Sequence, residues 1–391
     1  MPSNKELAET DFGINSEQFT KLRKIVNFTY GKSRFYTELW DSGGFHPSFL
    51  SGPKDICLIP TVSRTQLRDY SAELSEGLYN RGNISRLHNQ TTSGSSGIPL
   101  RIYWTNIEWF SRIKYLLYAY RKQGLRYFSN THNLSDPVDI KKPLFFQRAG
   151  ILKNTYYNIY DDFSEIIQTL SEEGGIDVLK GMPSDLFSLA YYVNKKSQDF
   201  PKIGMIQSGG EVLDESTKTF VETTFKSKIF DSYSSVETGL LAFQTLTSGG
   251  RYAVSSNNSI LECKKLPGIP DNDFETVVTN LNNFTTPIIR YRSGDIVKVN
   301  DAPKKDVFAP RLIDSIYGKY LDFLVHPNGN LISAHVVKQN LTHLSGIDRF
   351  QVEQISKDQV IVKIQPSDSF SNRTKKEISE LTFTKFGKLV F

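Results

Sequence analysis

The stretch Thr91-Thr92-Ser93-Gly94-Ser95-Ser96-Gly97-Ile98-Pro99 alternates small hydroxyl residues with glycines and ends in a proline. Glycine lets backbone N–H groups turn inward around an anion, and the hydroxyl side chains add short donors without bulk. A loop that holds phosphate needs these properties. It is not a Walker loop, because no lysine follows the second glycine. The same composition also fits a Ser/Gly surface linker, so the rest of the chain must decide between the two.

Length and composition set the class of protein. The chain has 391 residues, of which 38% are hydrophobic and 23% charged, which predicts a globular protein with one large domain and a smaller one. A formal net charge of +5 suits small polyanionic ligands such as nucleotides. The chain has no block of Lys and Arg residues, so we expect no nucleic-acid partner. Cys57 and Cys263 are isolated, so we expect neither a structural metal nor a disulfide framework. Without a secretory signal or an apolar run of about 20 residues, the expected location is the cytoplasm.

Helical patterns lie on both sides of the glycine loop. Residues 16–29 are predicted to form an amphipathic helix that Ser16 caps, with these apolar residues at helical spacing: Phe19, Leu22, Ile25 and Val26. Residues 106–123, rich in aromatic side chains, predict a second helix. The polar residues 126–142 are expected to form a surface loop.

Further along the chain, short apolar segments alternate with a helical one. Strands are predicted at residues 203–206, 228–230, 276–279 and 287–291, and a helix at residues 216–224. This alternation is typical of an α/β fold.

The character of the chain changes near residues 316–322. Beyond them, apolar residues alternate in two runs on either side of a turn at residues 356–358, which predicts a β-hairpin: Phe350 and Val352, then Val360, Val362 and Ile364. Residues 372–381 predict a helix. A compact α+β module of about 75 residues therefore follows the larger body.

The order and spacing of the motifs resemble the phenylacetate–CoA ligase family of adenylate-forming enzymes. The resemblance is strongest to the branch found in capsule and O-antigen biosynthesis clusters, and it runs nearly end to end. These segments carry it: residues 33–36, the step at 58–63, the phosphate loop at 92–99, GMPS at 181–184 (family G-x-P-S), YSSVE at 233–237 (family Y-G-S-T-E), YRSGD at 291–295 (family Y-R-T-G-D), GKYLD at 318–322 (family G-R-x-D-D) and GK at 387–388 (the end of family S-G-K). Residues 350–354 also resemble the fQv-x-Q strand of the capsule branch.

This resemblance implies a domain plan. Residues 1–315 would form an adenylate-forming body of β-sheets flanked by helices, residues 316–322 a hinge, and residues 323–391 a small mobile α+β lid. The lid would close on the body for one half-reaction and rotate for the other, with Gly318 absorbing the change in dihedral angles.

The implied activity is that of an ATP-dependent ligase. A carboxylic acid attacks the α-phosphate of ATP, which gives an acyl-adenylate and pyrophosphate, and an amine or CoA then takes the acyl group. ATP and Mg²⁺ are the implied cofactors, and CoA is a candidate acceptor. Two other functions compete: a scaffold that keeps the fold without turnover, and a nucleotide-sugar transferase, which the absence of a DxD motif disfavours.

The resemblance also implies roles for single residues. Nucleotide binding would fall to the phosphate loop and to residues further along the chain: Thr92, Ser93, Gly94, Ser95, Ser96, Gly97, Tyr233, Ser234, Ser235, Asp295 and Lys319. Within this set, Tyr233 would stack on adenine and Asp295 would accept hydrogen bonds from both ribose hydroxyls. Aromatic packing and an ordinary turn are the structural alternatives for these two residues.

The remaining roles concern the metal, the catalytic lysine and the acid. Glu237 would hold Mg²⁺, and Lys388 would bridge the attacking carboxylate and the α-phosphate. Lys385 is a weaker candidate for that role, and a solvated charge is the structural alternative for Lys388. A further segment would touch the acid: Ser208, Gly209, Gly210 and Glu211, with help from Tyr156, Tyr157 and Tyr160. Glu211 could pair with the ammonium group of an amino-acid substrate.

Several residues depart from the family pattern. Ser234 replaces a glycine, and Val236 replaces a threonine. Since valine cannot donate to the α-phosphate, that contact is lost or comes from another residue. Lys319 replaces an arginine, so a point charge stands in for a planar fork. Leu321 occupies a position where a polar hinge residue is common.

Overall fold

A computed structural model describes residues 12–76, 84–92, 100–136, 147, 150, 152–172, 175–267, 269–303, 305–319, 324–325, 331–332, 341, 344, 346–356, 359–367, 369–386 and 388–390. The α-helices in these ranges are α1 (Ser16–Thr29), α2 (Arg34–Ser42), α3 (Arg64–Glu76), α4 (Asn106–Gln123), α5 (Phe163–Glu172), α6 (Pro183–Lys196), α7 (Glu215–Phe225) and α8 (Asn372–Phe386). Short 3₁₀ turns cover Pro47–Phe49 and Pro53–Leu58. None of these helices is long and apolar enough to cross a membrane.

The strands in the same ranges are β1 (His88–Thr91), β2 (Arg101–Trp104), β3 (Asn130–Ser135), β4 (Lys153–Asn158), β5 (Ile176–Gly181), β6 (Ile203–Gly209), β7 (Ile229–Ser235), β8 (Gly239–Gln244), β9 (Tyr252–Val254), β10 (Ser259–Lys264), β11 (Asp273–Asn280), β12 (Tyr291–Lys298), β13 (Val307–Phe308), β14 (Leu312–Ile313), β15 (Ser315–Lys319), β16 (Leu324–Val325), β17 (Leu331–Ile332), β18 (Ile347–Ser356), β19 (Gln359–Pro366) and β20 (Lys388–Val390).

An eight-stranded sheet, here called the large sheet, has the order β14-β9-β8-β7-β6-β5-β3-β4. Its strands from β7 to β4 run parallel, and β8, β9 and β14 are antiparallel. Leu179 and Ile206 face the core that helices α5 to α7 share with the sheet. On the opposite face, Val178 and Met205 pack with Tyr120 of α4. Helices on both faces of parallel strands confirm the predicted α/β fold.

A second sheet, here called the small sheet, has five antiparallel strands in the order β13-β10-β11-β12-β15. It packs against the antiparallel half of the large sheet. Tyr233 and Leu241 of the large sheet share one apolar core with Leu261, Phe274 and Val278 of the small sheet. The end of β7 is therefore held next to β12. Four of the predicted site residues lie on these two strands: Tyr233, Ser234 and Ser235 on β7, and Asp295 on β12.

Helix α1 confirms the predicted bounds but has a different cap. Asn15 Oδ1 accepts from the Gln18 N–H at 2.8 Å, and Gln18 Oε1 accepts from the Asn15 N–H at 3.1 Å. This reciprocal capping box makes Asn15, rather than Ser16, the cap. Helix α4 also has the predicted bounds.

The prediction of a surface loop at residues 126–142 is wrong over Asn130–Ser135, which form β3 between β4 and β5. The strand is polar and buried because its side chains find partners across the sheet. Asn133 Nδ2 donates to Asn154 Oδ1 at 3.3 Å, and His132 Nδ1 lies 3.0 Å from the Tyr157 hydroxyl. Polarity alone does not reveal such partners.

The predicted strand at residues 287–291 is wrong as well. Strand β12 begins at Tyr291, so the Arg292–Asp295 motif lies inside the strand and not after it. Arg290 has a φ of +47°, in the left-handed region that regular strands exclude, and the chain therefore bends directly before β12.

The carboxyl-terminal elements include the predicted hairpin. Phe350 of β18 pairs with Ile364 of β19, and Val352 pairs with Val362. Helix α8 extends to Phe386, beyond the predicted end at residue 381. Of the predicted hinge, residues 316–319 belong to β15, and residues 320–322 lie outside the described residues. The pivot and the domain boundaries stay predictions.

Candidate active site

Tyr233 and Asp295 meet where β7 of the large sheet approaches β12 of the small sheet. The Tyr233 hydroxyl donates to Asp295 Oδ2 at 2.6 Å, and Lys319 Nζ lies 2.9 Å from Oδ1. Asp295 is only 8% exposed. Three residues predicted to serve the nucleotide thus form one contact cluster, although they come from three strands; Tyr233 and Asp295 are buried, and Lys319 is partly exposed.

Two bulges in the small sheet aim the Asp295 carboxylate. Between Arg292 and Ile296, three residues of β12 stand opposite Thr276 of β11, and the register with β15 also shifts after Ile296. Gly294 and Gly318 have φ angles of +77° and +86°, a region that side chains disfavour. The glycines of the two motifs therefore serve to kink the strands around Asp295.

The Asp295 carboxylate keeps hydrogen-bonding capacity for a ligand. Each oxygen has one donor in the cluster, and an ionised carboxylate offers about four lone-pair positions in total. Lys319 also donates to the Ser293 carbonyl at 2.8 Å, which fixes its ammonium group beside Asp295. The remaining acceptor positions of this carboxylate fit a ligand that donates from two adjacent hydroxyls, as a ribose does.

Tyr233 is a buried neutral donor. Burial and the charge of Asp295 raise the pKa of its hydroxyl well above the ordinary value. Its second partner is Thr276 Oγ1 at 3.2 Å. Stacking of the Tyr233 ring on adenine stays a prediction. The hydrogen bond from Tyr233 to Asp295 is a contact that the sequence motif does not indicate.

Glu237 lies in the turn between β7 and β8. Ser235 Oγ fixes this turn by accepting from the Thr238 N–H at 3.1 Å. The Glu237 carboxylate is buried, and Arg64 Nη1 at the start of α3 lies 3.8 Å from it. Mg²⁺ usually takes one or two carboxylates and fills its other positions with phosphate oxygens and water, so a single buried carboxylate fits this ion. Mg²⁺ would compete with Arg64 for the Glu237 carboxylate.

Arg112 of α4 joins this site, and the sequence analysis missed it. Its guanidinium lies 3.4 Å from the Ser235 carbonyl, 3.5 Å from the Val236 carbonyl and 4.9 Å from the centre of the Trp104 ring. Burial lowers its pKa to about 10, and the charge of Glu237 opposes that shift. Arg112 thus brings positive charge to the turn where Val236 lacks a donor. No local pattern marks one arginine in a helix as part of such a turn.

The phosphate loop lies in the sequence between the two strands of a β-hairpin. Strands β1 and β2 pair antiparallel, and Thr92 Oγ1 accepts from the Leu100 N–H at 3.0 Å. Thr92 therefore closes the base of the loop. The predicted phosphate-binding residues beyond it lie outside the described residues: Ser93, Gly94, Ser95, Ser96 and Gly97.

The segment predicted to touch the acid begins in the last two residues of β6, Ser208 and Gly209, and continues beyond the strand. Ser208 Oγ donates to Asp231 Oδ1 at 2.5 Å, and Tyr252 donates to Oδ2 at 2.7 Å. Gly209 pairs with Ser232, and Gly210 is exposed. Asp231 is a buried acid that the sequence analysis did not single out.

The other predicted residues lie apart from this cluster. Exposed Glu211 accepts from the Ser184 N–H at 3.1 Å, at the amino-terminal end of α6. Ser234 is exposed on β7. The backbone of Lys388 begins β20 and pairs with Gln359 of β19. Substrate contact by Glu211 and the catalytic role of Lys388 stay predictions.

Comparison with known proteins supports the resemblance. No family model matches the chain. Protein CapK of Staphylococcus aureus is 24% identical over 332 residues, which cover 80% of this chain and 69% of CapK. A phenylacetate-coenzyme A ligase of Thermus thermophilus is 30% identical over 94 residues, which cover 24% of this chain and 20% of that enzyme.

Among solved structures, 2-hydroxyisobutyryl-CoA ligase in complex with 2-HIB-AMP superposes with a TM-score of 0.74 and 18% identity, over 95% of this chain and 85% of that one. These findings confirm the predicted resemblance: the homologues include CapK and a phenylacetate-CoA ligase, and the fold is that of adenylate-forming CoA ligases.

Proposed function

We propose that this chain, which has the fold of adenylate-forming CoA ligases, is an AMP-forming acid ligase that works in capsular polysaccharide or O-antigen biosynthesis. It would activate a carboxylic acid with ATP and transfer the acyl group to an amine or to CoA. The proposed pathway derives from the motif resemblance to the capsule branch.

One observation carries the proposal: the buried Asp295 carboxylate with Tyr233 on one oxygen and Lys319 on the other. Burying a carboxylate is costly unless its acceptor positions are filled. Here two donors meet part of that need, and the hydroxyls of a ribose would meet the rest. An anchored ribose would direct the phosphates toward Glu237 and the base of the phosphate loop at Thr92.

The chemistry of activation needs positive charge near the reacting phosphate. Attack of a carboxylate on the α-phosphate brings together two negative groups, so fixed cations lower the barrier. Arg112 and Arg64 are cations that the described residues supply at the 235–237 turn, and Lys388 is the one that the family pattern supplies. Mg²⁺ held by Glu237 would neutralise phosphate charge.

Carboxylate-dependent ATP–pyrophosphate exchange tests the proposal. A panel of amino, hydroxy, aromatic and short aliphatic acids with Mg²⁺ should contain at least one acid that drives exchange, and Asp295→Ala should abolish it. If the folded protein binds ATP and catalyses no exchange with any acid, the scaffold alternative replaces the ligase.

The acceptor is tested with the acid that exchange identifies. Coupled AMP release should accelerate with either CoA or an amino sugar. CoA would yield a thioester that hydroxylamine cleaves, and an amino sugar would yield an amide that resists it. Acceleration by neither would refute acyl transfer while leaving acid activation intact.

A further inference from the structure

A second polar cluster lies beneath α4, toward the carboxyl ends of the parallel strands. Lys180 of β5 pairs with Gln207 of β6 and with Asn133 of β3. Register partners in a sheet project to the same face, so these three side chains share the face that α4 covers. The residues two positions earlier on β5 and β6, Val178 and Met205, lie on the same face and are apolar. On β5 and β6 the polar side chains of this face thus lie toward the carboxyl ends of the strands, where ligands of parallel sheets bind.

Lys180 is the charged member of this cluster. Its Nζ donates to the Tyr120 hydroxyl and lies 4.7 Å from the centre of the Tyr120 ring. Tyr156 of β4 faces the same charge: burial raises the pKa of Tyr156, and Lys180 opposes the shift. Within the described ranges, no carboxylate forms an ion pair with Lys180. A half-buried ammonium therefore has phenol groups around it and, among the described residues, no carboxylate paired with it.

The cluster adjoins the segment predicted to touch the acid. Gly181, next to Lys180, pairs with Ser208. Gln207 Nε2 donates to Gln123 Oε1 at 2.8 Å, and Gln123 Nε2 donates to Ser232 Oγ at 3.3 Å. Ser232 directly precedes Tyr233. These hydrogen bonds therefore connect the polar cluster around Lys180 with the contact cluster of Tyr233 and Asp295.

Resting on the proposed ligase function, we propose that Lys180 and Tyr120 bind a second negatively charged group at the far end of the acid. The substrate class is then a short dicarboxylic acid rather than an acid with an apolar tail. A monocarboxylic acid would displace water from the ammonium without replacing its interactions, and so would bind less well.

Acid pairs of equal chain length test this inference in the exchange assay: succinate with butyrate, glutarate with pentanoate, and adipate with hexanoate. The wild-type protein should favour one diacid over its monoacid by about 100-fold in kcat/KM, the scale for losing one partner of a desolvated charge pair. Lys180→Met should remove this preference by raising KM for the diacid and, because no ammonium is then left without a partner, by lowering KM for the monoacid.

Matched variants separate charge from packing. Lys195→Met removes another lysine that lies over a tyrosine, 5.6 Å from the Tyr191 ring on the exposed side of α6, and should keep the preference. Lys180→Arg keeps the charge and should retain a diacid preference. If Lys180→Met does not fold, Lys180→Gln makes the same test with a polar side chain.

The outcomes distinguish the two proposals. Exchange with monoacids and no diacid preference, or a preference that Lys180→Met and Lys180→Gln retain, refutes the role of Lys180 and leaves the ligase proposal standing. Failure of the ATP-bound wild type to exchange with any acid refutes both.

Discussion

The hydroxyl of Tyr233 donates a 2.6 Å hydrogen bond to Oδ2 of Asp295, across 62 positions of sequence and from one sheet to the other. Both residues are buried, and Lys319 occupies the opposite carboxylate oxygen. The bond connects two motifs that the sequence presents separately and fixes the orientation of the carboxylate proposed to hold the nucleotide.

The first prediction concerns this pair. Asp295→Ala should abolish ATP binding in calorimetry. Tyr233→Phe should keep the ring and lose only the donor, which weakens ATP binding about tenfold, since a hydrogen bond to a charged group is worth about 1.5–3 kcal/mol. The matched control is Tyr36→Phe, which should bind ATP normally. It also loses a buried hydroxyl, one that donates to the Pro287 carbonyl at 3.1 Å. Normal affinity in Asp295→Ala would refute the ribose assignment.

The second prediction concerns the metal. Glu237→Gln removes the charge proposed to attract Mg²⁺, so half-maximal exchange should need at least about tenfold more Mg²⁺. Glu275→Gln is the control, because Glu275 is also buried beside an arginine, with its carboxylate 2.8 Å from Arg292 Nη2. A Mg²⁺ titration of exchange in both variants makes the comparison, and equal midpoints would argue against Glu237 as a metal ligand.

The third prediction separates the half-reactions. Lys388→Ala should slow acid activation by about 100-fold, the usual cost of one lost donor to developing charge, and should spare acyl transfer from a preformed acyl-adenylate. Single-turnover measurements of each step provide the test, with Lys385→Ala as the neighbouring control. An equal loss in both steps would indicate damage to the fold instead.

The fourth prediction concerns stability. Arg290 donates through Nε and Nη2 to buried Glu262, at 3.1 and 2.8 Å, and through Nη1 to the Cys57 carbonyl at 3.0 Å. Glu262→Gln leaves this guanidinium buried without a negative partner and should lower the free energy of unfolding by about 3–5 kcal/mol. Urea denaturation measures the loss.

A double-mutant cycle provides the check on that loss. Glu262→Gln with Arg290→Met removes both charges and should cost less than the sum of the single substitutions. Strict additivity would mean that the two charges do not interact.

The fifth prediction concerns pH. Burial raises the pKa of Asp231, and the donors Ser208 and Tyr252 oppose the shift. The native state then binds more protons than the unfolded state, so this carboxyl destabilises the fold increasingly as pH rises from about 3.9 to its raised native pKa. Asp231→Asn should therefore gain stability relative to wild type across that window. Urea unfolding from pH 4 to 8 gives the difference, and a constant gap would contradict the raised pKa.

Local patterns in the sequence determined several elements of this protein. Helices α1 and α4 have the predicted bounds because apolar spacing and adjacent caps act within a few residues. The β18–β19 hairpin follows from alternation around a short turn. The alternation of short apolar segments with a helical one likewise predicted the α/β fold, since each segment is contiguous in the sequence.

Tertiary structure alone decided the contacts between segments. Strand β3 is buried although it is polar, because Asn154 and Tyr157 lie beside it on β4. Arg112 reaches the turn before Glu237 from a distant helix, and Lys180 meets Tyr120 across 60 positions. Such interactions depend on which surfaces the fold brings together. A single sequence encodes them only through the free energy of the whole packed structure, so local spacing cannot reveal them.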